Sequence, residues 1–350
     1  MTSSSNRPTT LRSIARELGV SHVTVSLALR DNPKISQSRR TEIQKAAKEM
    51  GYRPDPILRQ LASYKSSSKD TRIQSSIAWI NNWKKPSDFF KQSEFKRYFE
   101  GAKETASNHG YNLETFNIQE LDVTPKRLRT ILSSRGIRGV IIPPHPRTYK
   151  IPYKSWRDFA VLRIGFDNPS SKRHIVCPDQ FEGGRLAAQK MHEAGYRRIG
   201  YLSNKNKELR SRYNFLASFQ TTRDLLNPNS KFIPPLILES SVPSVKAKAS
   251  YKSWLKEHNI DAVFTGLSFA INWTHELGLR IGPELGIAGT SIHDSGTDSG
   301  IDQRPFEIGA VATQFLTRLI SLHEFGIPEI PQRHLITPLW VSGSSLKKNP

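Results

Sequence analysis

The chain has 350 residues, 36% of them apolar and 9% aromatic, which suits two or three cored domains and excludes a wholly disordered chain. Cys177 is its only cysteine, so no internal disulfide, zinc ribbon or iron–sulfur site can be assembled from one chain. Lys and Arg number 52 against 31 Asp and Glu, and a net charge of +21 favours a polyanionic partner, nucleic acid first and an anionic membrane second. Residues 1–72 hold 14 basic and 6 acidic residues, a net +8, and the other 278 carry +13. Mean hydropathy is −0.52. No run approaches the roughly 18 apolar residues of a membrane span. The opening MTSSSNRPTTLRS lacks the apolar stretch of a secretion signal. The expectation is a cytoplasmic chain with no membrane contact.

In chain order, Thr10 caps a helix whose apolar positions Leu11, Ile14, Ala15 and Leu18 repeat at helical spacing, and Gly19 ends it. Ser21 caps a second helix running to about Leu29, with Val25 and Leu29 inward. A third begins near Ser36, runs through Ile43, Ala47 and Met50, and stops at Gly51. Two short helices across a Gly-containing turn, with a third packed over them, make a helix-turn-helix. Asp55-Pro56 reads as cap and first position of a short fourth helix, PILRQLAS. The polar stretch 64–72, YKSSSKDTR, reads as a linker.

Beyond the linker, strand-like and helix-like runs alternate. SIAWIN, YNLETFNI, GVIIPP, AVLRIGF, RRIGYL, PPLILE, DAVFTG and ELGIAG read as strands. Helices fall between them at FKRYFEGAKETASNHG, TPKRLRTILSSRG, QFEGGRLAAQKMHEAG, VKAKASYKSWLKEH and FEIGAVATQFLTRLISLHEFG. The alternation implies an α/β class of parallel sheets with crossover helices, and about ten strands argue for two subdomains rather than one sheet. The two glycines of FEGGRLA match neither dinucleotide nor P-loop spacing, and no GxSxG occurs. His293, Asp294, Asp298 and Asp302 crowd into HDSGTDSGID without EF-hand or zincin spacing, which reads as a solvated loop. No catalytic residue, metal site or cofactor is expected.

The head, TTLRSIARELGVSHVTVSLAL followed by ISQSRRTEIQKAAKEMGYRPDPILRQLAS, closely resembles the LacI/GalR family of bacterial transcription regulators. EAGYRRIGYLSN, ELGIAGTSIHD and DQRPFEIGAVA resemble the family's body segments in the same order, so the resemblance spans essentially the whole chain. It implies a helix-turn-helix DNA-binding domain over 1–54, a hinge helix over 55–63, the linker 64–72, and a body over 73–350 built like a periplasmic sugar-binding protein. The expected subdomains are about 73–170 with 303–331, and about 171–302 with 332–346. The implied assembly is a homodimer on a palindromic DNA operator, modulated by a small molecule such as a sugar. A sugar-binding transport protein would share the body but carry no helix-turn-helix, and a same-fold regulator with a lost or non-sugar effector stays open.

In such a headpiece, Ser21, Thr24 and Ser26 are hydroxyls suited to phosphate oxygens, while His22, Val23 and Leu27 face base edges. Family members commonly carry Arg where this chain has Leu27, so readout here leans on His22 and on methyl contacts to thymine. The resemblance casts Leu61 of RQLAS as a minor-groove wedge. Leu58 and Leu61 either serve that role or pack against each other across the dimer. Arg53 and Arg59 are candidate phosphate holders. For the effector cleft, Gln303 stands where the family's Gln does, and Arg212 or Arg210 where its Arg does. Ser291 replaces an expected Asp, with Asp294 three residues on. Gly266, Leu267 and Ser268 occupy the place of an Asn-Asp pair. Trp79, Trp83 and Trp273 are either stacking faces or core aromatics, and the polar run 81–95 lines the cleft mouth or is plain surface.

Overall fold

A computed structural model describes residues 9–29, 35–52, 75–119, 124–146, 156–166, 172–240 and 242–347. The chain forms two compact units, Met1–Asp70 and Thr71–Pro350. The expected hinge helix and linker, with Arg53, Leu58, Arg59 and Leu61, lie outside the described residues.

The first unit holds α1 (Leu11–Glu17), α2 (His22–Ala28) and α3 (Gln37–Glu49). Thr10 and Ser13 cap α1 reciprocally: Ser13 N–H donates to Thr10 Oγ1 at 3.2 Å and Thr10 N–H to Ser13 Oγ at 2.8 Å. Gly19 and Gly51 follow α1 and α3 at φ of +63° and +67°, a backbone that glycine adopts without cost. Ile14, Ala15, Val25, Ala28, Ile43 and Ala47 form the small core, with Val20 and Leu29 packed against it.

The second unit contains two six-stranded sheets. The first comprises β1 (Ser75–Asn81), β2 (Tyr111–Asn117), β3 (Gly139–Ile142), β4 (Ala160–Ile164), β5 (His174–Pro178) and β11 (Arg333–Ile336) in the order β11-β5-β4-β3-β1-β2, all pairs parallel. The second comprises β6 (Ile199–Asn204), β7 (Leu236–Leu238), β8 (Ala262–Thr265), β9 (Gly286–Gly289), β10 (Gly300–Asp302) and β12 (Leu339–Val341) in the order β12-β10-β9-β8-β6-β7. Only β12 runs antiparallel to its neighbour there, beside β10.

The expected subdomain limits shift. His174–Pro178 pairs with Ala160–Ile164 on one side and Arg333–Ile336 on the other, so both belong to the first sheet. The chain therefore leaves that sheet after Pro178 and Ile336, not near 170 and 331. HIVCP is a wholly buried strand without alternation, the kind of short apolar run that periodicity does not resolve.

Trp79 is fully buried on β1, set edge-on to Phe89 at 5.8 Å and Phe99 at 5.3 Å. It lies in the core beneath the first sheet and lines no cleft, which corrects its candidacy as an effector residue. Trp273 is buried likewise, its ring 4.5 Å from Phe269.

Between the first sheet's helices, α5 (Ser93–Asn108) and α12 (Pro305–Ser321) approach through paired glycines. A Cβ on Gly101 would collide with the Phe306 carbonyl, and one on Gly309 with the Tyr98 carbonyl. Helix backbones cannot yield as side-chain ends do. Gly309→Ala is expected to lower stability by about 2 kcal/mol, read as a lower urea midpoint at unchanged slope; an unchanged midpoint would refute the contact's tightness.

Candidate functional site

Two sites emerge, one in each unit. In the first, α2 starts at a capped end. Ser21 Oγ accepts from Thr24 N–H at 3.0 Å and lies 2.9 Å from Thr24 Oγ1. His22 and Val23 then stand outward, Val23 at 53% exposure, while Val25 and Ala28 are buried. Leu27 is half-buried and lies outside the apolar core cluster. Ser26 is half-buried. The third helix fixes the other two from behind. Arg39 Nη2 donates to the Leu18 carbonyl at 3.2 Å, and Gln44 Nε2 to the Ala28 carbonyl at 3.1 Å, so both preceding helices end on α3 side chains. The outcome is a helix presenting its N-terminal turn, with a positive dipole end and no acidic residue in that turn.

The second site is a cleft of about 290 Å³ between the two sheets of the body. The first sheet's side supplies Glu94, Phe95 and Tyr98 from α5, His145 beyond β3, and Arg163 with Phe166 from β4 and its end. The second sheet's side supplies Tyr201 and Ser203 from β6, Lys207, Glu208 and Arg210 from α8 (Lys205–Ser211), Gly266–Phe269 after β8, and Thr290, Ser291, Asp294 and Ser295 after β9. Gln303 follows β10. These positions cluster at strand C-terminal ends, where open α/β sheets bind ligands.

Each carboxylate of the cleft is held by a protein donor. Tyr98 O–H donates to Glu94 Oε1 at 2.7 Å, and Tyr201 O–H to Glu208 Oε1 at 2.8 Å. Burial pushes both glutamates above the ordinary carboxylate range; for Glu94 the nearby Asp294 charge adds to this, against the Tyr98 and Ser291 hydroxyls. Asp294 does something different. Its Oδ1 accepts the N–H groups of Ser93 at 3.0 Å and Glu94 at 3.4 Å, across the cleft. Its own flanking residue Gln92 gives α5 no side-chain cap, so Asp294, two hundred residues on, supplies it from the other sheet.

The cations differ in setting. Arg163 is buried and donates from Nη1 to His145 Nε2 at 2.9 Å. His145 Nδ1 lies 2.9 Å from the Pro146 carbonyl. Arg210 lies 5.9 Å over the Phe95 ring. Lys207 is exposed at the cleft. Desolvation around its ammonium, with Arg210 nearby, lowers its pKa against the pull of Glu94, Asp294 and Glu208.

Of the expected effector residues, Arg210, Ser291, Asp294 and Gln303 line the cleft. Arg212 does not: it occupies the left-handed end of α8 at φ +53°, with its guanidinium 5.3 Å from the ring of Phe166. The run 81–95 contributes Gln92, Glu94 and Phe95, while Trp83 donates its indole N–H to the Pro144 carbonyl at 2.9 Å. The acids of HDSGTDSGID disperse: His293 meets Asp302 at 3.2 Å, and Asp298 accepts from Ser344 and Ser345, pinning the C-terminal segment. Gly183 and Gly184 of FEGGRLA admit Phe215 and Ser218 of a neighbouring helix, a packing role. Sequence reasoning missed Tyr98, His145, Arg163, Tyr201, Lys207 and Glu208, and did not single out Glu94 within the run 81–95. The available signal was position, since several directly follow a strand.

The first unit is a capped three-helix head, and the second sets a cleft between two largely parallel sheets. Residues 10–55 match the family described as "Bacterial regulatory proteins, lacI family". A "Ribose operon repressor" of Halalkalibacterium halodurans is 24% identical over 326 residues, 89% of this chain and 91% of the relative. The "HTH-type transcriptional repressor CytR" of Escherichia coli is 25% identical over 195 residues, 55% of this chain and 53% of that one. Among solved structures, the "transcriptional regulator CelR-cellobiose complex" superposes with TM-score 0.57 at 19% identity, over 97% of this chain and all of that one. A lac repressor dimer "bound to operator and the anti-inducer ONPF" gives 0.55 at 18%, with the same coverage. Residues 10–55 are thus similar to the lacI family of bacterial regulatory proteins. No helix among the described residues is long and apolar enough to cross a membrane.

Two outcomes follow. A buried acid raised above its unfolded value stabilises the fold below that value, and the contribution is lost as pH rises through the native one. Glu94→Gln, which keeps an acceptor for Tyr98, is therefore expected to be more stable than the parent at pH 8 and equal to it near pH 4. Denaturant titrations at both pH values check it, and a constant difference would refute it. Asp294→Ala removes the cap, at a cost of about 1 kcal/mol to the first turn of α5. Hydrogen exchange should quicken at Ser93 and Glu94 while the amides near Ala106 stay protected; unchanged exchange at Ser93 would count against the cross-cleft bond.

Proposed function

We propose that the chain is a sequence-specific DNA-binding transcription regulator, a repressor acting in the cytoplasm as a homodimer on a palindromic operator. Its affinity is set by a sugar-like small molecule in the cleft, and it is not an enzyme. The observation that carries this is α2: capped at Ser21, outward at His22 and Val23, and anchored behind by Arg39 and Gln44. Such a helix offers its N-terminal turn to a major groove, with Ser21, Thr24 and Ser26 at phosphates and His22, Val23 and Leu27 at base edges. A homodimer supplies two copies, hence a palindrome. The relatives support the reading: two are named repressors, one neighbour was solved on its operator, and another holds cellobiose.

Leu61 then wedges the operator centre, with Leu58 beside it and Arg53 and Arg59 on flanking phosphates. A ligand that changes the cleft changes the presentation of the two hinges, and so operator affinity. One observation favours a second reading, DNA binding without a ligand: Asp294 already bridges the cleft with protein groups alone.

Footprinting of the purified chain on its own upstream DNA tests the first reading. The expected result is a protected pseudo-palindrome with a hypersensitive centre, both the centre and about tenfold in affinity being lost in Leu61→Ala. Diffuse protection that vanishes with modest salt would overturn sequence-specific binding. A strict guanine opposite position 27 would overturn the thymine-methyl readout.

A further inference from the structure

Two acids from opposite walls of the cleft meet at one helix end. Asp294, carried after β9 on the second sheet's side, accepts through Oδ1 the N–H groups of Ser93 at 3.0 Å and Glu94 at 3.4 Å, in the first turn of α5. The second of those amides belongs to Glu94 itself, so the Asp294 carboxylate sits against the backbone of an acid of the other wall. Glu94 is 8% exposed, and its side chain turns to Tyr98, one turn on, whose O–H donates to Oε1 at 2.7 Å.

The helix end serves one of these acids. The positive end of α5 favours a carboxylate, and Asp294 takes it by accepting the free amides. Glu94 is left with neutral hydroxyls, Tyr98 on its own helix and Ser291 after β9. Among the described residues, the charges that face it are Asp294 and Lys207 of α8, both from the second sheet's side and opposite in effect. Burial, reinforced by Asp294, outweighs the hydroxyls and Lys207, and pushes the Glu94 carboxyl above its usual range. Glu208 differs. Its donor Tyr201, with Ser203 and Lys207, lies on the second sheet's side and moves with it when the walls part.

We propose that the cleft is a proton-gated clasp. With Glu94 neutral, Asp294 closes onto the first amides of α5; when Glu94 loses its proton, two carboxylates oppose each other at one helix end and the walls separate. The inference goes beyond the regulator reading and requires neither ligand nor DNA. An acid that resists ionisation only while the cleft is shut couples closure to proton uptake. The preference for the closed body is therefore full below the ordinary carboxylate range, and is lost as pH rises through the higher value of the closed state.

Spin labels on Arg97→Cys of α5 and Asn206→Cys of α8, both exposed positions, read the distance across the cleft in the full-length chain by pulsed electron resonance. Cys177 is buried and so stays unlabelled, and dilution into unlabelled protein removes distances between copies. From pH 5 to pH 8 the closed-to-open ratio is expected to fall about tenfold or more. Glu94→Gln, which keeps an acceptor for Tyr98, should hold the closed distance at both values. Asp294→Asn keeps an acceptor for the amides without the charge, and should shrink the dependence on pH. Glu208→Gln should leave it unchanged. A distance distribution that does not move with pH in the parent would overturn the clasp. So would a dependence that survives Glu94→Gln, or one that Glu208→Gln abolishes.

Discussion

The Asp294 carboxylate ties one half of the body to the other. The described chain passes between the sheets three times, after Pro178, after Asp302 and after Ile336, and these crossings leave a cleft whose walls could part. Asp294 closes it by accepting the first amides of α5 from the opposite wall. Those amides need a partner, since the residue before the helix supplies none. The closed arrangement is thus held by satisfying a helix end as well as by charge. Glu94, the second residue of that helix, is buried against the same carboxylate, so closure brings two acids together and raises one of them.

The rest of the cleft follows from that closure. Cation–ring contacts cross it beside Asp294: Arg210 over Phe95 and Arg212 over Phe166, each pairing the second sheet's residue with the first sheet's ring. Arg212 places its guanidinium there, while Arg210, two residues earlier on the same helix, lines the cavity. Lys207 and Gln303 line the same cavity, with Gln303 Oε1 buried and without a donor.

The headpiece was legible from residues 9 to 52 because every signal in it is local. Thr10, Ser21, Gly19 and Gly51 punctuate helices whose apolar positions recur at helical spacing, and the core they bury is made of those same positions. The body was legible as alternation, but its limits were not. Five residues of HIVCP and four of RHLI lack the alternation or the length that marks a strand, and only their partners in space place them in the first sheet. Trp79 failed as a ligand residue for a related reason: a tryptophan on a central strand meets the core on either face, and its sequence neighbours do not say which sheet covers it.

The cleft residues that sequence reasoning missed share a physical cause. Tyr98 and Tyr201 matter because each donates to a buried glutamate; Tyr98 lies one turn after Glu94 on the same helix, whereas Tyr201 on β6 meets Glu208 on the helix that follows through the packing of the two elements. Lys207 matters because Gly266 leaves room beside it, a relation across 59 positions that no spacing rule encodes. Residue type could announce that a charge was present at each place. How that charge is held is decided by packing, and in this cleft packing sets the acids against tyrosines and a helix end.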